Sequence, residues 1–214
     1  MYNNFKVLNM RSLKLVLPLL LLFAFSNLSC SVYQTIVNAS RLKFKLGNVN
    51  NFTLAGINLI NKKSINDFSP LEALKLTASF SRGTMPAAFI LNVNALNPND
   101  GTGGYPRTDM SIVAFPWRLM INNKETVHGD IAAPVPIPGT GEAVVIPIQI
   151  TVDFYQFFKE KEYQDIISLA LKLGGFGGGN SVDLALYVKP TISSSLGNIT
   201  FPQEIKVINY EYTK

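Results

Sequence analysis

The sequence is poor in the residues that most often build reactive sites. Its 214 residues include one cysteine and one histidine, and only 15% carry a charge. A single cysteine excludes an internal disulfide, so the thiol needs another reason to be present. If that thiol is used elsewhere, the single histidine leaves essentially only oxygen ligands for a metal. The main apolar run, residues 15–25, is shorter than the roughly 20 residues of a membrane-spanning helix, which disfavours a permanent span.

The start of the chain has the pattern of an export signal. Three basic residues precede the apolar run, and the small-residue stretch 26–29 follows it and leads to the single cysteine, Cys30. A positive segment, an apolar core and a small-residue end are the three parts of a signal peptide. We therefore expect residues 1–29 to be a signal peptide.

Ser29 and Cys30 resemble the end of a bacterial lipobox, although Asn27 occupies the position where an aliphatic residue is usual and Leu28 comes one position late. The resemblance implies that Cys30 is lipidated and that the protein is anchored in the bacterial cell envelope, facing the periplasm or the exterior. Two or more acyl chains would hold it firmly, since each buried methylene contributes about 0.8 kcal/mol. A secreted protein with an incidental Cys30, or an uncleaved anchor, are the alternatives.

The remaining chain carries little net charge. Without the signal peptide, sixteen basic and fourteen acidic residues leave a net charge of +2, and the basic residues are scattered. This balance disfavours nucleic acid as a partner. The length suits one well-packed domain, which we place at residues 46–214, with residues 30–45 as a tether to the lipid.

Period-two alternation dominates this domain and predicts half-buried antiparallel strands. Alternation is clearest over residues 89–95, 144–152 and 182–188. Further strands are predicted over residues 52–59 (with a bulge at Ala55-Gly56), 109–121, 127–133 and 199–208, and a hairpin turn at residues 122–124. The alternating prolines at 134, 136 and 138, and Pro147, belong at sheet edges or in loops.

Two segments favour helices. Ser69-Pro70-Leu71-Glu72 is a capping-box pattern, with Leu71, Leu74 and Ala78 as the apolar face, although residues 74–80 also alternate like a strand. A longer helix is predicted from Asp153 to Gly174. The glycine-rich run that follows, residues 174–180, predicts a connector and not a phosphate site, because it lacks a Lys-Ser/Thr ending.

The search for catalytic and metal sites is negative. The sequence contains no Gly-x-Ser-x-Gly motif, so His128 has no recognisable serine nucleophile as a partner. Residues 97–101 resemble the start of a calcium-binding loop, but the glutamate that ends an EF-hand loop is missing. A glycosidase site would have to combine Asp109, Asp153 and Asp183, which sequence alone cannot pair. We expect a protein that is not an enzyme and that carries no cofactor and no metal.

Phe154, Tyr155, Phe157 and Phe158 concentrate aromatic surface at the start of the longer helix. They predict a possible ligand surface between the β-structure and the helix, for an apolar or peptide ligand. Ordinary core packing is the alternative interpretation.

Residues 91–99 resemble the strand and Asn97-Pro98-Asn99 turn that mark the late embryogenesis abundant type 2 family, also called the water stress and hypersensitive response domain. Residues 52–57, 117–150 and 188–202 resemble the strands around it. The resemblance implies an immunoglobulin or fibronectin type III-like antiparallel β-sandwich with one or two helices, a binding or structural role, and stress or desiccation protection. Physically, Pro98 stops the strand and the flanking Asn side chains can satisfy loop amides, which gives the turn a structural role.

Overall fold

The chain folds into antiparallel sheets in a computed structural model that describes residues 33–175, 182–194, 197–209 and 211–213. Over these residues there are twelve strands. The first sheet has the order β2-β1-β3-β8. Its strands are β1 (Lys43–Leu54), β2 (Ile57–Asn58), β3 (Pro86–Leu96) and β8 (Ala143–Asp153).

The other eight strands form two more sheets. One has the order β11-β10-β4-β7 and the other β12-β9-β5-β6. The strands are β4 (Met110–Ala114), β5 (Trp117–Ile121), β6 (Lys124–Gly129), β7 (Val135–Ile137), β9 (Leu184–Val188), β10 (Thr191–Ser194), β11 (Gly197–Thr200) and β12 (Ile205–Val207).

These two sheets are halves of one bent layer. Phe115-Pro116 separates β4 from β5, and Lys189-Pro190 separates β9 from β10. Pro116 and Pro190 lack the backbone N–H group that would bond to a neighbouring strand, and they lie at the same height in the sheet. The Lys189 amide donates to the Pro116 carbonyl oxygen at 2.9 Å across the bend. Residues 109–121, predicted as one strand, therefore form the two strands β4 and β5. Residues 199–208, also predicted as one strand, are divided between β11 and β12.

The core lies between this bent layer and the first sheet. Alternate residues of each long strand are buried, as the period-two pattern predicts, and the rings of Phe44 and Phe115 lie 5.4 Å apart across the two layers. The predicted antiparallel β-sandwich is confirmed. The C-terminal segment covers the edge of β1, because the Leu46 amide donates to Ile208 and the Thr213 amide donates to Phe44.

The prolines lie where a missing donor is tolerated. Pro136 is in β7 and Pro147 is in β8, and both strands are sheet edges. The hairpin turn is also confirmed: Asn122 and Asn123 have φ of 49° and 62°, the pair of positive values that a tight two-residue hairpin requires. Ala55 and Gly56, predicted as a bulge, form a turn between β1 and β2 instead.

Four α-helices and one 3₁₀ helix accompany the described strands. They are α1 (33–40), the 3₁₀ helix (Ile65–Asp67), α2 (Pro70–Ser81), α3 (Phe154–Phe157) and α4 (Tyr163–Leu173). The capping box of α2 is formed, with Ser69 and Glu72 exchanging hydrogen bonds. The predicted apolar face of α2 is wrong, because Leu71 and Leu74 are exposed and the buried residues are Leu76 and Ser79.

The predicted long helix after Asp153 is two helices. Asp153 caps α3 as predicted, by accepting hydrogen bonds from the amides of Tyr155 and Gln156. Phe158, at φ −123° and ψ 45°, leaves the helical conformation, and α4 starts again after Glu162. Most of α4 is buried in the core.

The fold has two distinct ends. β1 begins opposite the end of β3, and β3 begins opposite the end of β8. Hence α1 and the Asn-Pro-Asn turn lie at one end, and α2 and α3 lie at the other, which we call the helical end. The start of α4 is also there, since the Phe80 and Tyr163 rings are 5.5 Å apart.

The predicted domain start at residue 46 is wrong. It falls inside β1, and Asn38, Ala39, Leu42 and Phe44 are buried, so residues 33–45 belong to the fold and not to a loose tether. The signal peptide, Cys30 and most of the glycine-rich run lie outside the described residues. Within the described part, no helix is long and apolar enough to cross a membrane.

Candidate functional site

The Asn-Pro-Asn turn is the centre of a buried polar junction. Asn97 is fully buried, and its amide nitrogen Nδ2 donates to the carbonyl oxygens of Thr108 at 2.8 Å and Ile137 at 2.9 Å. Its Oδ1 accepts hydrogen bonds from the backbone amide of Asn99 and from Asn99 Nδ2. One side chain thus satisfies backbone groups of three separate segments, as buried polar groups require.

Asn99 connects this junction to α1. Asn99 Nδ2 donates to the Asn38 carbonyl oxygen at 2.8 Å, and Asn38 Nδ2 donates to Thr108 Oγ1 at 2.7 Å. Gly139 closes the junction, because a Cβ there would lie 2.3 Å from the Asn99 carbonyl oxygen. The turn therefore has the structural role that the sequence predicts, and it fixes the position of α1 as well.

The neighbouring loop satisfies its own carboxylate. Asp100 Oδ1 accepts hydrogen bonds from the hydroxyl and amide of Thr102, at 2.6 and 2.9 Å. The Thr102 hydroxyl is the main cause that lowers the pKa of Asp100. Across the described residues, no group of three His, Cys, Asp or Glu side chains is placed to hold a metal ion.

The four aromatic residues predicted as a ligand surface are divided between two environments. Phe154 and Phe158 are in the core, with rings 5.7 Å apart. Tyr155 and Phe157 are half-buried against that core, and Tyr155 packs edge-on against Phe80. Two buried rings cannot line an open surface, so the placement matches the core-packing alternative.

The three aspartates of the glycosidase hypothesis lie in different places. Asp109 is at the Asn-Pro-Asn end, where it accepts a hydrogen bond from the Gly139 amide; this bond is the main cause that lowers its pKa. Asp153 caps α3 at the helical end. Asp183 lies beside the hairpin turn and pairs with Asn122. The structure does not bring Asp109 together with the other two.

Sequence reasoning missed an ion network on the outer face of the bent layer. Arg118 bonds to Glu204 at 2.8 Å and to Glu125 at 3.2 Å, and its guanidinium lies 4.2 Å from the centre of the Tyr187 ring. Glu204 raises the pKa of Arg118. His128 is the exposed strand neighbour of Arg118. The residues come from three strands and one loop, so no local pattern could have shown them.

Two grooves border α4. The first, of about 320 Å³, lies where the C-terminal end of α4 meets β1 and β9. Its apolar lining residues are Leu46, Val49, Leu173, Val182 and Leu184. The second, of about 250 Å³, lies between the 3₁₀ helix and α4. None of the four predicted aromatic residues lines either groove.

Comparisons with known proteins give likenesses of structure only. No protein family model matches the chain, and no curated protein matches it. A protein from Archaeoglobus fulgidus has 12% identity and a TM-score of 0.31 over 56% of this chain and 83% of its own. A structural-genomics target, SoR45, has 9% identity and a TM-score of 0.37 over 80% and 89%. An Arabidopsis thaliana protein solved in solution has 17% identity and a TM-score of 0.29 over 58% and 73%.

Proposed function

We propose that this protein is a lipid-anchored protein of the bacterial cell envelope whose β-sandwich has a binding or protective role and no enzymatic activity. The carrying observation is the single cysteine, Cys30, placed directly after a signal-peptide pattern. The fold is compatible with this role, because β-sandwiches serve mainly as binding and structural modules.

The resemblance to the late embryogenesis abundant type 2 family supports a protective role. The Asn-Pro-Asn turn that carries the resemblance is a buried junction in this fold. We therefore propose that it shields partners near the membrane under stress.

The anchor is tested by intact mass analysis of the protein purified from membranes. We expect loss of residues 1–29 and the added mass of acyl chains on Cys30, with Cys30→Ser released from the membrane fraction. A free thiol on a chain found in the soluble fraction would contradict the anchor.

Protection is tested by drying or heating a labile enzyme with and without the purified protein. We expect residual enzyme activity to rise with added protein, more than with an equal mass of serum albumin. No gain over albumin at a molar excess would remove the protective role.

A second candidate is a carrier for an apolar or extended ligand. The groove of about 320 Å³ at the end of α4 favours it, because Val49, Val182 and Leu184 give it apolar walls. Native mass spectrometry of the membrane-extracted protein would show a co-purifying ligand. Replacing Val49 with Lys should displace that ligand, whereas a ligand-free spectrum would argue against the carrier.

A further inference from the structure

Helix α1 buries one face and exposes the opposite one. Asn38 and Ala39 are buried, and Asn38 bonds to the Asn-Pro-Asn junction through both its side chain and its carbonyl oxygen. Tyr33, Ile36 and Ser40 are exposed, Tyr33 at 69% and Ile36 at 50%. Because residues three and four positions apart share one side of a helix, these three form a single face, which we call the α1 outer face. It points away from the sandwich.

The two large side chains of the α1 outer face are of kinds that suit the boundary between water and a membrane. Tyrosine combines an apolar ring with a polar hydroxyl and is enriched at the headgroup level of bilayers. Isoleucine gains from leaving water through its apolar surface. Helices that lie on a bilayer bury such a face about 5 to 10 Å deep, between the headgroups and the acyl chains. Exposure alone does not identify a partner, so the place of α1 in the chain has to decide.

The lipid proposed on Cys30 is close to this face, and this step rests on the proposed function. Cys30 precedes Tyr33 by three residues, which span at most about 11 Å. The helix itself belongs to the fold through its buried face. Acyl chains inserted in a bilayer therefore hold the α1 outer face beside the headgroups. So short a connection gives the face an effective concentration at the bilayer of about a millimolar or more, which populates even a weak contact.

Charge does not decide this contact, because the Asn-Pro-Asn end of the fold carries both signs. Its charged residues include Arg41, Lys43, Arg107, Asp100, Asp109 and Glu142. Acids and bases are thus interspersed around α1, and they give no reason to prefer an anionic membrane. If the contact exists, it depends on Tyr33 and Ile36 and is similar on neutral and anionic lipids.

We propose that the α1 outer face lies on the lipid bilayer that holds the anchor, with the Tyr33 ring and the Ile36 side chain at the headgroup level. The contact sets the orientation of the domain. The buried face of α1 packs on the turn that ends β3, so the membrane meets the Asn-Pro-Asn end. The twelve residues of β1 run from there to the helical end, a span of about 40 Å. The helical end is consequently held away from the bilayer.

The test uses the acylated protein purified from membranes and reconstituted in phosphatidylcholine vesicles. Acylation occupies the sulfur of Cys30, so an introduced cysteine is the single reactive thiol of the chain. Ser40→Cys carries an environment-sensitive fluorophore on the α1 outer face and leaves Tyr33 and Ile36 intact. Leu71→Cys carries it at an exposed position of the helical end. We expect the first label to emit at shorter wavelength and to be quenched by nitroxide-labelled lipid, and the second to show neither change.

A double substitution removes the contact and keeps the anchor. Tyr33→Gln with Ile36→Gln should abolish both signals of the Ser40→Cys label, while the protein still sediments with the vesicles through its acyl chains. Leu71→Gln with Leu74→Gln is the matched control, because this pair is also apolar, exposed and three positions apart on one helix; the signals should be unchanged. They should also be unchanged in vesicles with about one third anionic lipid. Urea unfolding midpoints verify that each variant is folded.

Three results would overturn the proposal and leave the anchor in place. The Ser40→Cys label of an acylated protein could stay in a solvent environment, which would remove the contact. Emission at shorter wavelength without nitroxide quenching would assign the α1 outer face to another protein surface, such as a second copy. Signals that require anionic lipid and survive the glutamine substitutions would assign the contact to charge. An unmodified Cys30 in mass analysis is a different failure, since it removes the proposed anchor and this contact with it.

Discussion

At the scale of single residues, Asn97 connects the loop before β4 to the end of β7. Its Nδ2 donates to the carbonyl oxygens of Thr108 and Ile137, and the side chain is fully buried. Asn97→Asp would replace this donor with a carboxylate facing two carbonyl oxygens. We expect a loss of unfolding free energy of about 3 kcal/mol or more, measured by urea denaturation.

Asn198→Asp is the control for this change, because Asn198 is exposed on β11. It should alter stability by less than about 0.5 kcal/mol. If Asn97→Asp is as mild as the control, the junction does not hold the loops together.

Gly139 is a second residue whose identity is fixed by packing. A Cβ at this position would lie 2.3 Å from the Asn99 carbonyl oxygen and 2.9 Å from that of Thr108, and backbone atoms cannot move aside cheaply. Gly139→Ala should lower the unfolding free energy by about 2 to 4 kcal/mol.

Gly103→Ala gives the comparison for Gly139→Ala, since Gly103 has φ of 63° but open space around its Cβ position. Its cost is conformational, about 1 kcal/mol. Equal urea midpoints for the two variants would show that the close approach at Gly139 is relieved by a small shift.

At the scale of elements, the N-terminus of α2 depends on Glu72. Its carboxylate bonds to Lys62 and to the amide and hydroxyl of Ser69, and the Lys62 bond is the main cause that lowers the pKa of Glu72 to about 2, from 4.5. Since the folded-state pKa is the lower one, its stabilisation is complete above pH 4.5 and is lost as the pH falls towards 2.

Glu72→Gln should therefore destabilise the protein at pH 7, and the difference from the natural chain should shrink between pH 4.5 and about 2. Urea midpoints measured across this range check it. Glu142→Gln, on an exposed loop outside the described ion pairs, should show no such trend. A constant difference at all pH values would mean that the ionised carboxylate is not the stabilising group.

Strands were predictable from the sequence where one face meets the core. The alternation of β3, β8 and β9 is local information, and so is the double-asparagine hairpin. The breaks at Phe115-Pro116 and Lys189-Pro190 were missed, because each half continues the same alternation and only the neighbouring strand reveals the bend. The aromatic residues after Asp153 were ambiguous because composition alone does not say which rings face inward.

Helix orientation was the weakest prediction. The capping box correctly placed the start of α2, because capping is a local interaction. The direction of its apolar face failed, since the position of the sheet relative to the helix decides whether Leu71 or Leu76 is buried. The Asn-Pro-Asn junction was predictable as a strand-ending turn, but its bonds to α1 depend on residues about sixty positions away.

At the scale of the whole molecule, the bent layer and the first sheet are joined along one side by the C-terminal segment. Thr213 pairs with Phe44, and Ile208 accepts a hydrogen bond from Leu46. Because β1 holds both the C-terminal segment and β3, removing its first residues would loosen two contacts at once. The first residues of β1 should therefore contribute to the unfolding free energy of the domain.

A chain that starts at residue 46 tests this extent. It would lose the buried side chains of Leu42 and Phe44 and the hydrogen bonds of Asn38 to Asn99 and Thr108. At about 1.5 to 3 kcal/mol for each buried apolar side chain and about 1 kcal/mol for each hydrogen bond, the loss is comparable with the whole stability of a typical domain. We expect chain 46–214 to lack a cooperative urea transition, and chain 31–214 to keep one.

Near-ultraviolet circular dichroism distinguishes the two chains, because Phe44 packs against Phe115 in the core and an unfolded chain has no fixed aromatic signal. The tether interpretation of residues 30–45 makes the opposite prediction, since a loose tether contributes nothing to unfolding free energy. If chain 46–214 unfolds at the same urea concentration as chain 31–214, α1 and the start of β1 are an appendage.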